Sequence, residues 1–363
     1  MPYDTHVENR TPFDVQVHVQ TDAEGQEVTV LMLSASFTAH PDGRLSAADV
    51  PLPMTFGDVP RGDPARSSVR FDADIAPAKP VPEVWLDACA RSAGGRPVRK
   101  LEVGLQVGAV RKVLTVTGDR LRHLGGFSDP HPFDAMPLVW ERAFGGAAPD
   151  LSTMDLRNPV GIGHEGARSA DPAVLSEAPN ILRPGEAFER PGDRPEPAGL
   201  APVSRAWRPR LDLAGTYDEA WLATQWPLPP KNLDPLHHQA APADQRSPTI
   251  RPGATVTLLH MTPEARWEFR LPRLTAPLRL LRDDHAEEAE WAPDTLVIEP
   301  DLRRVTWKAR MAFVADRRAP KLREVLFGHV SPVLVTARRK RKNYLDPLGG
   351  DGTRRAQPAW EPA

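Results

Sequence analysis

Proline sets the first constraint on this chain. There are 41 prolines in 363 residues, about 11% against a usual ~5%. Proline lacks a backbone N–H and is excluded from helix interiors and central strands. At that density long regular helices cannot form. The expectation is short strands, short helices and much ordered loop. Counting the 25 glycines as well, the two residues make up about 18%, below the ~25–30% typical of disorder.

Between the prolines, period-two alternation is the clearest signal. Phe13, Val15, Val17 and Val19 alternate with Asp14, Gln16 and His18. Val69, Phe71, Ala73 and Ile75 alternate with Arg70, Asp72 and Asp74, and Leu101, Val103, Leu105 and Val107 with Glu102, Gly104 and Gln106. Such alternation predicts strands with one buried face. Gly108-Ala109 then separates the last run from Val110 to Thr117, and glycine first in a two-residue loop suits a type II′ hairpin. Residues 1–118 therefore read as an N-terminal antiparallel β region.

Residues 119–250 differ. They hold 19 of the prolines, and apolar residues come in bursts. Two short helices are expected. Pro137 opens one through Leu138 to Phe144, closed by Gly145-Gly146. Thr216-Tyr217-Asp218-Glu219 reads as a capping box for a second, stopped by Pro227. Trp140, Trp207, Trp221 and Trp226 argue for order here, because disordered segments are poor in aromatics.

Strand signals return at Ala254 to Leu259, Trp267 to Leu271, Thr295 to Ile298 and Val305 to Phe313, with a turn at Pro300-Asp301. Leu322, Val325 and Leu326 have helical spacing, which predicts a short helix over Pro320 to Phe327 closed by Gly328. Residues 251–342 form a C-terminal β region, able to share one core with the first, and 343–363 read as a flexible tail. The fold class expected is mainly β: antiparallel, sandwich-like sheets framing a loop-rich, Trp/Pro-rich middle with a few short helices.

Several chemistries find no support. A formal net charge of -2 gives no global bias toward nucleic acid or an acidic membrane. Cys89 is the sole cysteine, which excludes an internal disulfide and a cysteine zinc site. His123, His131, His164 and the adjacent His237-His238 match no zinc spacing, so no metal is expected. No G-x-S-x-G, G-x-x-x-x-G-K-[ST] or G-x-G-x-x-G occurs, so no hydrolase elbow and no phosphate-binding cofactor loop is expected. No cofactor is assigned. The basic run Arg338 to Lys342 reads as a solvated stretch. The N-terminus has no apolar h-region and no stretch reaches ~18 apolar residues, so the expected location is the cytoplasm. Carboxylates such as Asp134 and Glu141 suit acid–base work. They equally suit acceptance from buried loop amides that lack ladder partners.

The middle of the chain carries a more specific pattern. Gly118-Asp119-Arg120 leads into Pro132-Phe133-Asp134-Ala135-Met136-Pro137-Leu138-Val139-Trp140-Glu141-Arg142-Ala143-Phe144-Gly145-Gly146. Asn158-Pro159-Val160-Gly161-Ile162-Gly163, Ala178-Pro179-Asn180-Ile181, Trp207-Arg208-Pro209-Arg210, Gly215-Thr216-Tyr217-Asp218, Trp221-Leu222 and Ala241-Pro242-Ala243-Asp244-Gln245 follow in order. This series resembles a bacterial family known as a domain of unknown function and associated with the type VI secretion system. The likeness spans about residues 28 to 310. The sequence departs from the family pattern at Leu121-Arg122, at Ser34-Ala35-Ser36-Phe37 and at Trp307-Lys308-Ala309-Arg310.

What the resemblance implies is an accessory role. Members look like cytoplasmic adaptor chaperones that hold an effector with a PAAR-type tip and help load it onto the VgrG spike. The family offers no catalytic residues to carry over. On this reading the partner-binding candidates are Asp119, Arg120, Trp140, Glu141, Arg142, Phe144, Trp207, Tyr217 and Trp221, since Trp, Tyr and Arg are enriched at binding hot spots. The competing expectation is a β-rich hydrolase or carbohydrate-acting enzyme whose Asp134 and Glu141 converge on substrate. A structural part of the spike is a third.

Overall fold

The longest apolar stretch of the sequence becomes the spine of the largest sheet. The structure, a computed structural model, describes residues 5–314, 320–342, 344 and 359–361. In chain order the strands of the three large sheets are β1 (His6–Asn9), β2 (Asp14–Thr21), β3 (Glu27–Ala39), β4 (Leu45–Ala47), β5 (Glu83–Leu86), β6 (Lys100–Val107), β7 (Val110–Thr117), β8 (Ile181–Leu182), β9 (Thr255–Leu259), β10 (Arg266–Arg270), β11 (Leu278–Arg282), β12 (Ala286–Ala289), β13 (Pro293–Glu299), β14 (Arg304–Val314) and β15 (Leu322–Phe327). The described residues form two α-helices, α1 (Glu219–Thr224) and α2 (Pro332–Arg339).

Six strands form one sheet in the order β2-β3-β14-β13-β5, with β4 on the end of β3; a second runs β8-β7-β6-β9-β10, and a third β1-β15-β11-β12. Pairing in these sheets is antiparallel except for β13 with β5 and β1 with β15. Among the described residues no sheet closes into a barrel, and the protein is mainly β.

The two sequence regions share one core. Leu33, Ala35 and Phe37 of β3 and Trp307 of β14 meet Leu105 of β6, Trp267 of β10, Leu280 of β11 and Val325 of β15 in a single apolar cluster. Met136, Leu138, Trp140 and Trp207 of the middle join it. Burying a side chain such as Phe37, which is wholly enclosed, contributes about 2–3 kcal/mol. The other face of β3 and β14 carries Ser36 and Thr306, whose hydroxyls meet at 2.9 Å.

The predicted hairpin is present: β6 pairs with β7 from Val107–Val110 outward. The positive φ of its turn falls on Gly108 and not on Ala109, as a type II′ turn requires.

Elsewhere the sequence reading is corrected. Residues 320–327 form no helix. Leu322–Phe327 is β15, paired with β1 on one side and β11 on the other. A strand buried on both faces needs no alternation, so its apolar spacing imitates a helix. The helix expected over Leu138 to Phe144 is a single 3₁₀ turn, Trp140–Arg142. The strand expected to reach Ile75 stops at Phe71. Beyond it, Asp72 and Asp74 turn inward and are buried. The second predicted helix exists as α1, but its N-cap is Asp218, not Thr216; the Asp218 carboxylate accepts from Trp221 N at 2.8 Å. Most of 343–363 lies outside the described residues. Trp360–Glu361 pairs with Arg273–Leu274.

Candidate functional site

The motif segment cannot be helical, because its ends are pulled into strand pairs. Ala135–Pro137 pairs with Cys89–Arg91, and Phe144–Gly145 runs parallel to Ile162–Gly163. Only a tight turn fits between. Gly145 and Gly146 adopt φ of 146° and 96°. A Cβ on Gly145 would lie 2.2 Å from the Asn158 carbonyl oxygen. Asn158 itself closes the turn, its Nδ2 donating to the carbonyls of Trp140 at 2.8 Å and Phe144 at 2.9 Å.

Seven of the nine partner-binding candidates gather around this turn, and their side chains are used internally. Asp119 Oδ1 accepts from Arg142 Nη1 at 2.8 Å and from Asn180 Nδ2 at 3.0 Å. Arg142 also donates to Asn180 Oδ1 and to the Ala173 carbonyl. Arg120 donates to the Phe188 carbonyl at 2.8 Å and lies over the Phe127 ring. Glu141 is held by Ser68 at both oxygens. Trp140 donates to the Pro202 carbonyl at 2.9 Å and stands edge-on to Trp207. Phe144 is enclosed with Leu182 and Phe188. In this conformation these residues organise the loops; only Asp119 keeps partial exposure.

Tyr217 and Trp221 lie elsewhere, at α1, and there the surface changes character. Tyr217 is 58% exposed, Leu222 59% and Trp226 66%. The Tyr217 and Trp221 rings meet at 4.8 Å, and those of Trp221 and Trp226 at 5.8 Å, both edge-on. The frame beneath is fixed. Trp221 Nε1 donates to the Leu228 carbonyl at 3.0 Å. Gln225 Nε2 reaches the Ala23 carbonyl at 2.7 Å and so ties α1 to the β2–β3 turn. Asn232 Nδ2 donates to Thr216 Oγ1. The sequence reading placed four tryptophans together; the structure divides them. Trp140 and Trp207 are core, while Trp221 is half-buried and Trp226 stands in solvent.

A layer of buried ions ties the Asp72–Asp74 segment to the largest sheet, and Arg210 and Glu83 tie the middle of the chain to it in turn; the sequence reading did not assign this layer. Lys308 Nζ bonds both Asp74 oxygens at 2.8 Å, and Arg310 joins Asp74 to Asp294. Arg210 pairs with Asp72 at 2.8 Å. Burial alone would raise the Asp72 carboxyl, but the charges of Arg210, Lys79 and Arg205 outweigh it and hold the group below its usual range. Glu83 accepts from the backbone N–H groups of Ala240 and Ala241. Loop amides thus find carboxylate acceptors, as the proline-rich composition demands. The alternation of Asp72 and Asp74 with Phe71 and Ala73 was the available signal, read as a solvated strand face.

The remaining candidates can be placed. Asp134 is exposed. A cleft of about 540 Å³ is lined by Arg61, Arg66, Glu141, Arg142 and Asp171; Asp134 does not line it. Cys89 is half-buried, and burial, then the neighbouring Asp301, pushes its thiol up to about 12. Such a thiol stays protonated and unreactive at neutral pH. His238 is pulled down to about 4 by burial, and further by His237, Lys79, Arg205 and Arg210. Among the described residues no cluster of three or more His, Cys, Asp or Glu side chains is placed to hold a metal. In the basic run, Arg338 lies 3.4 Å from Glu324 and Arg341 3.1 Å from Asp283. No helix among the described residues is long and apolar enough to cross a membrane.

No curated protein and no solved structure matches this chain. The model of one family, described as an uncharacterized protein conserved in bacteria (DUF2169), matches residues 24–310. That span holds the motif turn, the ionic layer and the aromatic platform, and it places the chain in the DUF2169 family of bacterial proteins.

Proposed function

We propose that this chain is a non-enzymatic, cytoplasmic adaptor chaperone. On this reading it binds a type VI secretion effector with a PAAR-type tip and assists its loading onto the VgrG spike. The ordered motifs from Gly118 to Gln245 support the secretion link through their resemblance. One observation carries the binding role: the exposed Tyr217–Trp221–Trp226 platform on a bonded frame. Large aromatics held in solvent at fixed positions are the usual anchors of a protein interface. Holding them rigid beforehand reduces the ordering cost of association.

The test is capture from a native lysate in which the secretion genes are expressed, read by mass spectrometry. The wild-type chain is expected to retain a PAAR-tipped effector or VgrG. Trp226→Ala with Tyr217→Ala is expected to keep the wild-type melting temperature, since both side chains are exposed, and to lower capture at least tenfold. Capture of neither partner by the wild type would overturn the adaptor role. Undiminished capture by the folded double variant would remove the platform from it.

A further inference from the structure

Ala359, Trp360 and Glu361 return to the body of the protein as an added strand. Arg273 stands opposite Glu361 and Leu274 opposite Trp360 in an antiparallel pair. The backbone N–H groups of Thr275 and Ala276 both donate to the Ala359 carbonyl at 3.0 Å. The Trp360 ring stands edge-on to Phe37, with centroids 5.2 Å apart at 76°. Phe37 is a wholly buried residue of β3. The seat therefore has two parts, an open backbone edge and an aromatic slot that reaches the core.

The same edge continues along a cleft. Residues Arg273 to Arg279 line a cavity of about 820 Å³ together with Arg251, Glu290 and Trp291. Arg251 and Arg273 are exposed and make no ion pair among the described residues. The walls thus carry the exposed guanidinium groups of Arg251 and Arg273 and also the exposed Glu290 carboxylate, and Arg273, which faces the added strand, suits a carboxylate on that strand.

We infer that the Arg273–Ala276 edge, with the slot beside Phe37, is a strand-addition groove for an extended peptide bearing an aromatic residue followed by a carboxylate. Residues 359–361 are its internal occupant. Main-chain bonds supply the hold in such grooves and the side-chain pocket supplies selectivity. An occupant on the same chain competes at high effective concentration, so a partner segment enters only when the internal one is weakened or outbid. The groove's chemistry stands apart from the adaptor reading, because it needs only an extended segment of this kind.

The test uses the full-length chain and a fluorescein-labelled peptide of residues 356–363. Trp360→Ala empties the slot. The labelled peptide is expected to bind that variant at least tenfold more tightly than the wild type, and to lose binding when its own tryptophan is replaced by alanine. Should Trp360→Ala fail to fold, Glu361→Arg decides. It sets like charge opposite Arg273 at an exposed position and keeps the aromatic. Equal affinity for the wild type and a folded variant would overturn the inference, as would equal binding of the tryptophan-less peptide. No effector is present, so this outcome is separate from that of the adaptor test.

Discussion

Glu141 and Ser68, 73 positions apart in the chain, form a two-point clasp: Oε1 accepts from the Ser68 backbone N–H at 2.6 Å and Oε2 from its hydroxyl at 2.8 Å. The clasp joins the motif turn to the loop before Val69. Both residues are buried. Glu141→Ala strands the Ser68 N–H and removes two charge-assisted bonds, which costs about 3 kcal/mol. Urea unfolding checks this; a loss under about 1 kcal/mol would contradict a structural role for Glu141.

Gly145 is required by geometry. Alanine there meets the Asn158 carbonyl at 2.2 Å with φ at 146°. Gly145→Ala should cost on the order of 3 kcal/mol or more, or prevent folding. Gly94 is the control. Its φ is 63°, but open space surrounds its Cβ position. Gly94→Ala should cost only about 1–2 kcal/mol. Comparable melting temperatures for the two variants would refute the clash.

Lys308 is buried, and its Nζ donates to both Asp74 carboxylate oxygens. Burial lowers its pKa, and Asp74 opposes that effect. Lys308→Met leaves Asp74 and Asp294 facing Arg310 alone in the Arg310 cluster. Breaking a buried pair from one side costs about 3–5 kcal/mol. Thermal unfolding at neutral pH reads the loss, and an unchanged midpoint would show that the layer is not tightly coupled.

His238 makes stability depend on pH. Its folded value is about 4, below the usual 6.5. Between those values the unfolded chain binds the proton and the folded chain does not. The stability is therefore complete above about pH 6.5 and lost as pH falls toward 4. The full loss is on the order of 3 kcal/mol. His238→Gln should flatten the slope of unfolding free energy across that window. Asp72 acts lower: its depressed folded pKa gives stability above the ordinary carboxylate range that is lost on further acidification. An identical slope in His238→Gln and wild type would sink the assignment.

Legibility followed local chemistry. The β6–β7 hairpin was readable because Val103, Leu105 and Val107 alternate and Gly108 supplies the positive φ. Leu322 to Phe327 was misread because a doubly buried strand and one side of a short helix look alike over six residues. The motif turn was misread because Pro137 and Gly145 suit a helix's ends, while the strand pairs that forbid the helix come from Cys89–Arg91 and Ile162–Gly163, far away in sequence.

The sequence by itself determined that this chain would be β-rich, loop-rich and short of long helices, because proline acts locally on φ and on the backbone donor. It also identified the family's motif residues. Only the tertiary structure decided which of them face inward. Trp140, Glu141, Arg142 and Trp207 have the composition of an interface, yet their partners are Pro202, Ser68, Asp119 and one another's rings. Tyr217 and Trp226 share that composition and stand in solvent. The difference is burial, which depends on the segments that fold over a residue and not on the residue itself.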